Sequence, residues 1–322
     1  MSETQTSTVA PAARSAARKA PVRRKNRQVR GRTGAFWLFV GPFLVGLAIF
    51  IYVPIVWSLV LSFFRAQNTV VPDVFVGIKN YVDMLTDSAF LSSLGTFTLF
   101  AIFIVPTTYL LALGLAVLIN RARFARTFFR SVIFIPAACS YVVGSLVWKL
   151  SIFNGVRFGL ANTLIATFGA DPIPWLSATG GFPWYWPVIV TARLWLQVGF
   201  YMILLLAGLQ QIPSNLYEAA YVDGAKPGWQ TFVNVTLPGL RTATVAVLIL
   251  NLINAYQAFD EFYNLLGNVP YARPPLVYLY YTALGASQDY GHGSAGALIL
   301  AVLIAVVTIF QARVLGFGRA SD

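Results

Sequence analysis

Apolar positions along this chain do not alternate with polar ones. They run in long blocks separated by polar or Gly/Pro-rich connections. Six blocks cover about 36–64, 93–119, 128–150, 186–209, 241–262 and 293–315; the first two hold no charged residue and the others only one to three each. About 20 predominantly apolar residues suffice for a helix to cross the hydrocarbon core of a bilayer, and each block reaches that length. A helix that is apolar all round has no face to give to water, so lipid or other helices must cover it. The pattern therefore predicts an all-α integral membrane protein with six transmembrane helices. Connections at 65–92, 151–185 and 263–292 lie on one side of the membrane; a short one after the second helix and a long one after the fourth lie on the other.

Composition agrees: 57% of the residues are hydrophobic and 11% charged, with mean hydropathy +0.69, against about a quarter charged in an ordinary soluble domain. The net charge of +12 raises the question of nucleic acid, which the distribution answers. Nine of the 23 basic residues lie in the first 32 positions. If that arm is cytoplasmic, six alternating spans put Arg121, Arg123, Arg126, Arg130, Lys226, Arg241, Arg313 and Arg319 on the same side, 17 of the 23 in all. The positive-inside rule then places both termini in the cytoplasm, and the basic excess is a topology signal rather than a nucleic-acid footprint. Three segments follow: a basic, disordered arm at 1–34, a membrane domain at 35–316 and a short cytoplasmic tail at 317–322. The arm, rich in Ser, Ala and Arg, shares its composition with transit peptides, but topology already accounts for its charge, and a solvated arm touching anionic lipid is the simpler reading. Trp175, Trp184, Tyr185 and Trp186 suit an aromatic belt at the membrane–water boundary. A single cysteine, Cys139, excludes an internal disulfide framework, and a single histidine, His292, does not make a zinc site.

The long connection, 213–238, carries EAAYVDGAKPGWQTFVNVTLP from Glu218 to Pro238. It exceeds the usual two to eight residues between bundle helices, so it has structure and a task of its own or is disordered. Asn215 with Glu218 resembles a capping box opening a short helix. Asp223-Gly224 signals a turn, and Pro227 fits the first turn of a second short helix bearing Trp229 and Phe232, before Leu237-Pro238 redirects the chain. The product is a helix–turn–helix at the membrane surface. Read from the residues alone, it is either a docking surface or a hairpin packed on itself.

The arrangement Glu218-Ala219-Ala220, Asp223-Gly224-Ala225, Phe232 and Leu237-Pro238 resembles the EAA loop of permease subunits in binding-protein-dependent ABC importers. FVGPFLVGLAIFIYVPIVWSLVLSFF, FVGIKNYVDML, GLAVLINRARFARTFFRSVIFIPAACSYVVGSLVWKL and FDEFYNLLGNVP extend the likeness, in order, to carbohydrate permeases of the MalF/UgpA type over about 36–316. GNVPYARPPLVYLYYTALG departs from that family's run of glycines before the proline. The resemblance implies a bacterial or archaeal inner-membrane protein whose EAA coupling helix, between helices 4 and 5, docks into a separate ATPase subunit. Glu218, Ala219, Ala220, Asp223, Gly224 and Ala225 would form the coupling motif. The implied partners are a second permease, two ATPase subunits carrying MgATP, a solute-binding protein and a sugar, with no cofactor on this chain and no catalysis by it.

The residues themselves bear on energy and substrate. None of the chain's lysines follows a glycine, so the Gly-Lys step of a phosphate-binding loop is absent and ATP chemistry needs a partner. An ion-driven secondary carrier, the competing class, usually has membrane-embedded acids or broken helices at the midplane. Asp260 and Glu261 lie roughly 28–30 Å along a helix from Arg241, at the outer boundary, where a salt bridge or cap is the expected role. Asn251 and Asn254 fall at about 15 and 20 Å, and Gln197 and Phe200 at about 18 and 13 Å from Leu209, all at one depth. Amides and rings could serve the hydroxyls and C–H faces of a sugar or simply bond neighbouring helices, and the residues alone leave both open. In maltose-type permeases the helices flanking the coupling loop contact sugar; the resemblance therefore implies Leu196, Gln197, Phe200, Asn251, Asn254, Ala255 and Ala258 as substrate contacts. It leaves the sugar unnamed, with a di- or oligosaccharide expected and glycerol phosphate or another polyol as the alternative. Arg193, about 24 Å up the fourth helix from Leu209, keeps a phosphorylated ligand in play.

Overall fold

A computed structural model describes residues 27–122, 124–178 and 181–316, and it divides into two units, Met1–Ile55 and Val56–Asp322. In the first unit, helix α1 (Arg27–Leu47) begins inside the basic arm and passes into a π-helical turn, Ala48–Tyr52. The remainder of the arm, and the tail at 317–322, lie outside the described residues. Helix α2 (Val53–Leu61) completes an apolar helical stretch, Phe36–Leu61, of spanning length.

In the second unit a short antiparallel pair, β1 (Phe64–Arg65) and β2 (Val74–Phe75), interrupts the otherwise helical chain, with Phe64 opposite Phe75. Helix α3 (Lys79–Thr86) follows, so the first long connection has structure of its own. Helix α4 (Ser88–Arg121) is a full span, as are α8 (Tyr185–Gln210) and α15 (Tyr290–Val314). Arg241–Leu265 also has spanning length and hydropathy, but it is broken into α12 (Arg241–Tyr256) and α13 (Asp260–Leu265). Among the described residues five stretches are long and apolar enough to cross a membrane.

The expected third span departs from a straight helix. It folds as α5 (Arg126–Ala138) and α6 (Tyr141–Val147), the latter continuing as a π-helical turn to Ile152, with a 96° bend between the two. Pro136 removes a helical N–H just before the break, and Ser140 starts a new helix by accepting from the Val142 N–H at 3.3 Å. Gly199 on α8 lets α5 approach closely: a Cβ there would sit 3.0 Å from the carbonyl carbon of Ile133 and 3.0 Å from the Phe134 Cα.

Two apolar cores stack along the bundle. One gathers Phe90, Phe97, Phe100 and Ile104 of α4, Ile189 and Ala192 of α8, and Leu252, Tyr256 and Phe262 of α12 and α13. The other gathers Ala112, Leu113 and Ala116 of α4, Tyr201, Met202 and Leu205 of α8, and Val247 of α12. Between them, on each helix, sit the buried polar residues Thr108, Arg193, Gln197 and Asn251. A buried polar layer in so apolar a bundle costs free energy unless its groups are paired, which makes this layer the place to look for function.

At the α3 end, carboxylates tie the connections to the helices. Asp87 caps α4, accepting from the Ala89 and Phe90 N–H groups at 2.7 and 3.0 Å and from the hydroxyl of Tyr278, on α14 (Pro275–Leu284), at 2.7 Å. Asp289 caps α15 and meets the His292 ring at 2.9 Å, and the other ring nitrogen lies 3.2 Å from Asp83. Lys79, first, and then His292 hold the Asp83 carboxyl below its ordinary range. Burial opposes charge on Asp87 and Asp289, but hydrogen bonds from Phe90 and Tyr278, and from His292, outweigh it and depress both. Depressed carboxyl pKa values contribute stability that is complete above the unfolded value, about 3.9, and lost as pH falls through the folded one. The melting temperature in detergent should therefore hold steady down to about pH 5 and drop below about pH 4. Asp87→Asn should remove part of that acid-dependent drop; a variant with the full drop would exclude Asp87 as a contributor.

The third connection also carries helix α7 (Leu160–Ala166), where Asn162 accepts from the Trp175 indole N–H at 2.9 Å and the Ile173 N–H at 3.0 Å. Trp175 and Tyr185 are buried in the core rather than exposed as members of a boundary belt.

Candidate functional site

Two features stand out, one at the hairpin end of the bundle and one in the polar layer. The hairpin begins with α9 (Ser214–Val222), whose N-cap position is Pro213 with no side-chain cap, so the capping box expected from Asn215 does not form. Its C-terminus is closed as expected. Gly224 has φ +86°, the Ala225 N–H donates to the Ala220 carbonyl at 2.9 Å, and the Gly224 N–H donates to Tyr221 at 3.1 Å. This pair of bonds around a left-handed glycine is the Schellman arrangement. The Lys226 N–H donates to Gln230 at 2.8 Å, and the return passes through α10 (Trp229–Thr231), a π-helical turn and α11 (Leu237–Gly239). Pro227 precedes this second helix rather than lying in its first turn. Tyr217 meets the Thr236 hydroxyl at 3.2 Å, fixing the two arms to each other.

No residue of α9 is buried. Glu218, Ala219, Asp223 and Gly224 are exposed and Ala220 and Ala225 half-buried, with Leu216, Tyr221 and Val222 exposed beside them and Trp229 76% exposed. Self-packing within this chain therefore leaves most of the hairpin's apolar surface uncovered.

In the polar layer, a cavity of about 150 Å³ is lined by Tyr141 of α6, Arg193 and Gln197 of α8, Asn254 of α12, and the break Gln257–Phe259 with Asp260 and Glu261 beyond it. The break is what opens it: three non-helical residues interrupt the α12–α13 span and free backbone groups at that depth. Irregular backbone inside a membrane is tolerated where it lines such a cavity. Arg193 donates to the Asn254 carbonyl at 2.6 Å and forms an ion pair with Glu261, both side chains being 1–2% exposed. Gln197 donates to the Tyr141 hydroxyl at 2.9 Å, and Asn254 donates to the Tyr201 hydroxyl at 2.9 Å. The Gln197 Oε1 and Arg193 Nε, both buried, have no partner among the described residues.

Of the residues expected to meet a substrate, the structure brings Gln197, Asn254 and Ala258 to this cavity. Asn251 is fully buried and turned to α4, donating to the Val105 carbonyl at 3.1 Å, the helix-bonding alternative. Leu196 is buried against Gly144, Ala255 is buried in the core, and Phe200 is exposed on the bundle surface with its ring against Tyr201. Tyr141, Gln257 and Phe259 were missed. Tyr141 arrives only because of the α5–α6 bend, and the other two only because the helix breaks. Asp260 and Glu261 were expected as a salt bridge or cap, and Glu261 forms the bridge, with Arg193.

Comparison with known proteins fits this architecture. Residues 108–315 match the model of the binding-protein-dependent transport system inner membrane component. The chain belongs to this family. Among curated relatives, the trehalose/maltose transport system permease protein MalF of Thermococcus litoralis is 32% identical over 292 residues, 88% of this chain and 94% of that one. The arabinooligosaccharides transport system permease protein AraP of Bacillus subtilis is 31% identical over 293 residues, 88% and 90% of the two chains. A solved bacterial ABC transporter involved in alginate import shares the fold, with a TM-score of 0.78 at 20% identity over 91% of this chain and 99% of that one. The protein is thus an inner-membrane component of a binding-protein-dependent permease system.

Proposed function

We propose that this permease is one of two membrane subunits of an ATP-driven sugar importer, of a di- or oligosaccharide, and that the sugar passes through the polar cavity. The observation that carries this reading is an amide-and-hydroxyl-lined cavity at the broken α12–α13 span, in a chain whose relatives are named as sugar permeases. Hydroxyls of a passing sugar can bond Gln197, Asn254 and Tyr141, and such neutral bonds are weak enough to release it. The exposed α9 hairpin is read as the coupling element: Glu218, Ala219, Ala220, Asp223, Gly224 and Ala225 meet a separate ATPase subunit that binds MgATP. ATPase closure moves the hairpin, the bundle opens outward to receive sugar from a solute-binding protein, and hydrolysis resets it inward. In this reading both termini are cytoplasmic and the bent α5–α6 pair is the sixth membrane-crossing unit.

In the reconstituted importer, Gln197→Ala with Asn254→Ala should raise KM for sugar about tenfold, two lost hydrogen bonds at about 0.5–1.5 kcal/mol each. Asn251→Ala should instead lower thermal stability and leave KM unchanged. The reverse pattern would move the sugar path away from this cavity.

A further inference from the structure

The cavity holds more charge than a sugar requires. Of its lining side chains one is positive, Arg193, and two are negative, Asp260 and Glu261. An unpaired guanidinium at this depth would be an anion site, with donors only and a full positive charge. Here its charge is paired and both terminal nitrogens are engaged. Glu261 holds one terminal nitrogen, and the Asn254 carbonyl, at the end of α12 where the backbone ladder stops, holds the other at 2.6 Å. Among the described residues, two buried atoms in this cluster have no partner at all, the donor Arg193 Nε and the acceptor Gln197 Oε1. A hydroxyl that both donates and accepts satisfies the two together; a phosphate or carboxylate, which only accepts, leaves the glutamine oxygen unpaired.

Asp260 adds to this. Its side chain is exposed, lines the same cavity, and has no ion-pair partner among the described residues. Lys149, in the π-helical turn that continues α6, is engaged with the Asn264 carbonyl at 2.9 Å and does not line the cavity.

We infer that Arg193, Glu261 and Asp260 form a charge filter that admits uncharged, hydroxyl-rich ligands and repels phosphorylated or acidic sugars. This rests on the cavity being the sugar path, but the filter can be tested without knowing the sugar. Cys139 is the chain's only cysteine, so Cys139→Ser with Gln257→Cys puts one thiol at the cavity. In the intact transporter in native membranes, its labelling by cationic trimethylammonioethyl methanethiosulfonate is compared with that by anionic sulfonatoethyl methanethiosulfonate. Rates are read from the mass of this chain and normalised to a thiol free in solution.

The cationic reagent should react about tenfold faster after normalisation, the effect of net negative charge within a few ångströms in a partly desolvated site. Glu261→Gln, which keeps a hydrogen-bond acceptor for Arg193, and Asp260→Asn should each shrink that ratio about threefold or more. Arg193→Gln with Glu261→Gln leaves the net charge as it was and should preserve it. Equal rates, a faster anion, no labelling by either reagent, or a ratio unmoved by Asp260→Asn would overturn the filter; Asp260 is exposed, so that variant does not depend on the buried pair folding. Protection by maltotriose or trehalose reports separately on the path. A cation preference that neither sugar alters would retain the filter and remove these sugars from the cavity.

Discussion

Gly224→Val will uncouple the transporter while leaving the bundle folded. Gly224 sits at φ +86° at the closed end of α9, and a Cβ built there meets nothing within 4 Å. The penalty is therefore backbone strain rather than bulk. An L-residue in the left-handed region costs about 1–2 kcal/mol, and a β-branched one more. Relief of that strain opens the Schellman closure that holds Glu218, Ala219 and Asp223 exposed, and under the proposed coupling role the docking surface is lost with it. Transport by the reconstituted importer should fall at least about tenfold, the equivalent of roughly 1.4 kcal/mol. Gly224→Asn should keep most of it, because asparagine tolerates the left-handed region. Melting temperature should barely move in either, since no residue of α9 is buried. If valine and asparagine behaved alike, the turn's conformation would have no part in coupling.

The second large effect concerns stability. Glu261→Ala leaves Arg193, 1% exposed, without its counter-ion inside the bundle. Breaking a buried pair on one side costs about 3–5 kcal/mol, whereas replacing both partners with apolar groups of similar size is often close to neutral. Thermal unfolding in detergent should accordingly show a large loss for Glu261→Ala and a much smaller one for Arg193→Met with Glu261→Leu. Equal losses would mean that side-chain packing, not charge, holds α8 to α13.

Much of this molecule was written in its pattern of apolar blocks, because a bilayer accepts so few structures. Helices must satisfy their own backbone groups there, so length and hydropathy alone place α4, α8 and α15. The bend between α5 and α6 was not legible as a whole: Pro136 and Ser140 are visible, but nothing local fixes a 96° angle. The bend accompanies a close approach of α5 to α8 at Gly199, a contact between segments far apart in sequence. The α12–α13 break was hidden more deeply, since Gln257, Ala258 and Phe259 carry no proline or glycine; Arg193, 61 positions earlier in sequence, bonds the freed Asn254 carbonyl.

The same non-local contacts decided the polar residues. Helical rise put Gln197, Asn251 and Asn254 at one depth; Gln197 and Asn251 lie buried between the two cores, whereas Asn254 is exposed, alongside residues of the first core. Rise says nothing about which neighbour each amide faces. Asn251 turned to α4 and Gln197 to Tyr141. Of the salt bridge or cap expected at Asp260 and Glu261, the bridge forms between Glu261 and Arg193, a residue whose position in sequence left a phosphorylated ligand open. In the hairpin, Gly224 was legible because a positive-φ turn has few alternatives to glycine, while the Asn215 capping box was not realised once Pro213 had set the start of α9.

The central claim, that this chain is a permease subunit driven by a partner's ATP hydrolysis, is tested most directly by purification from native membranes through a tag on the amino-terminal arm. Mass spectrometry of the eluate should find an ATPase and a second, homologous permease, and the eluate should hydrolyse ATP. Recovery of this chain alone, in detergents gentle enough to preserve complexes, together with gradient-driven uptake after reconstitution by itself, would contradict the claim.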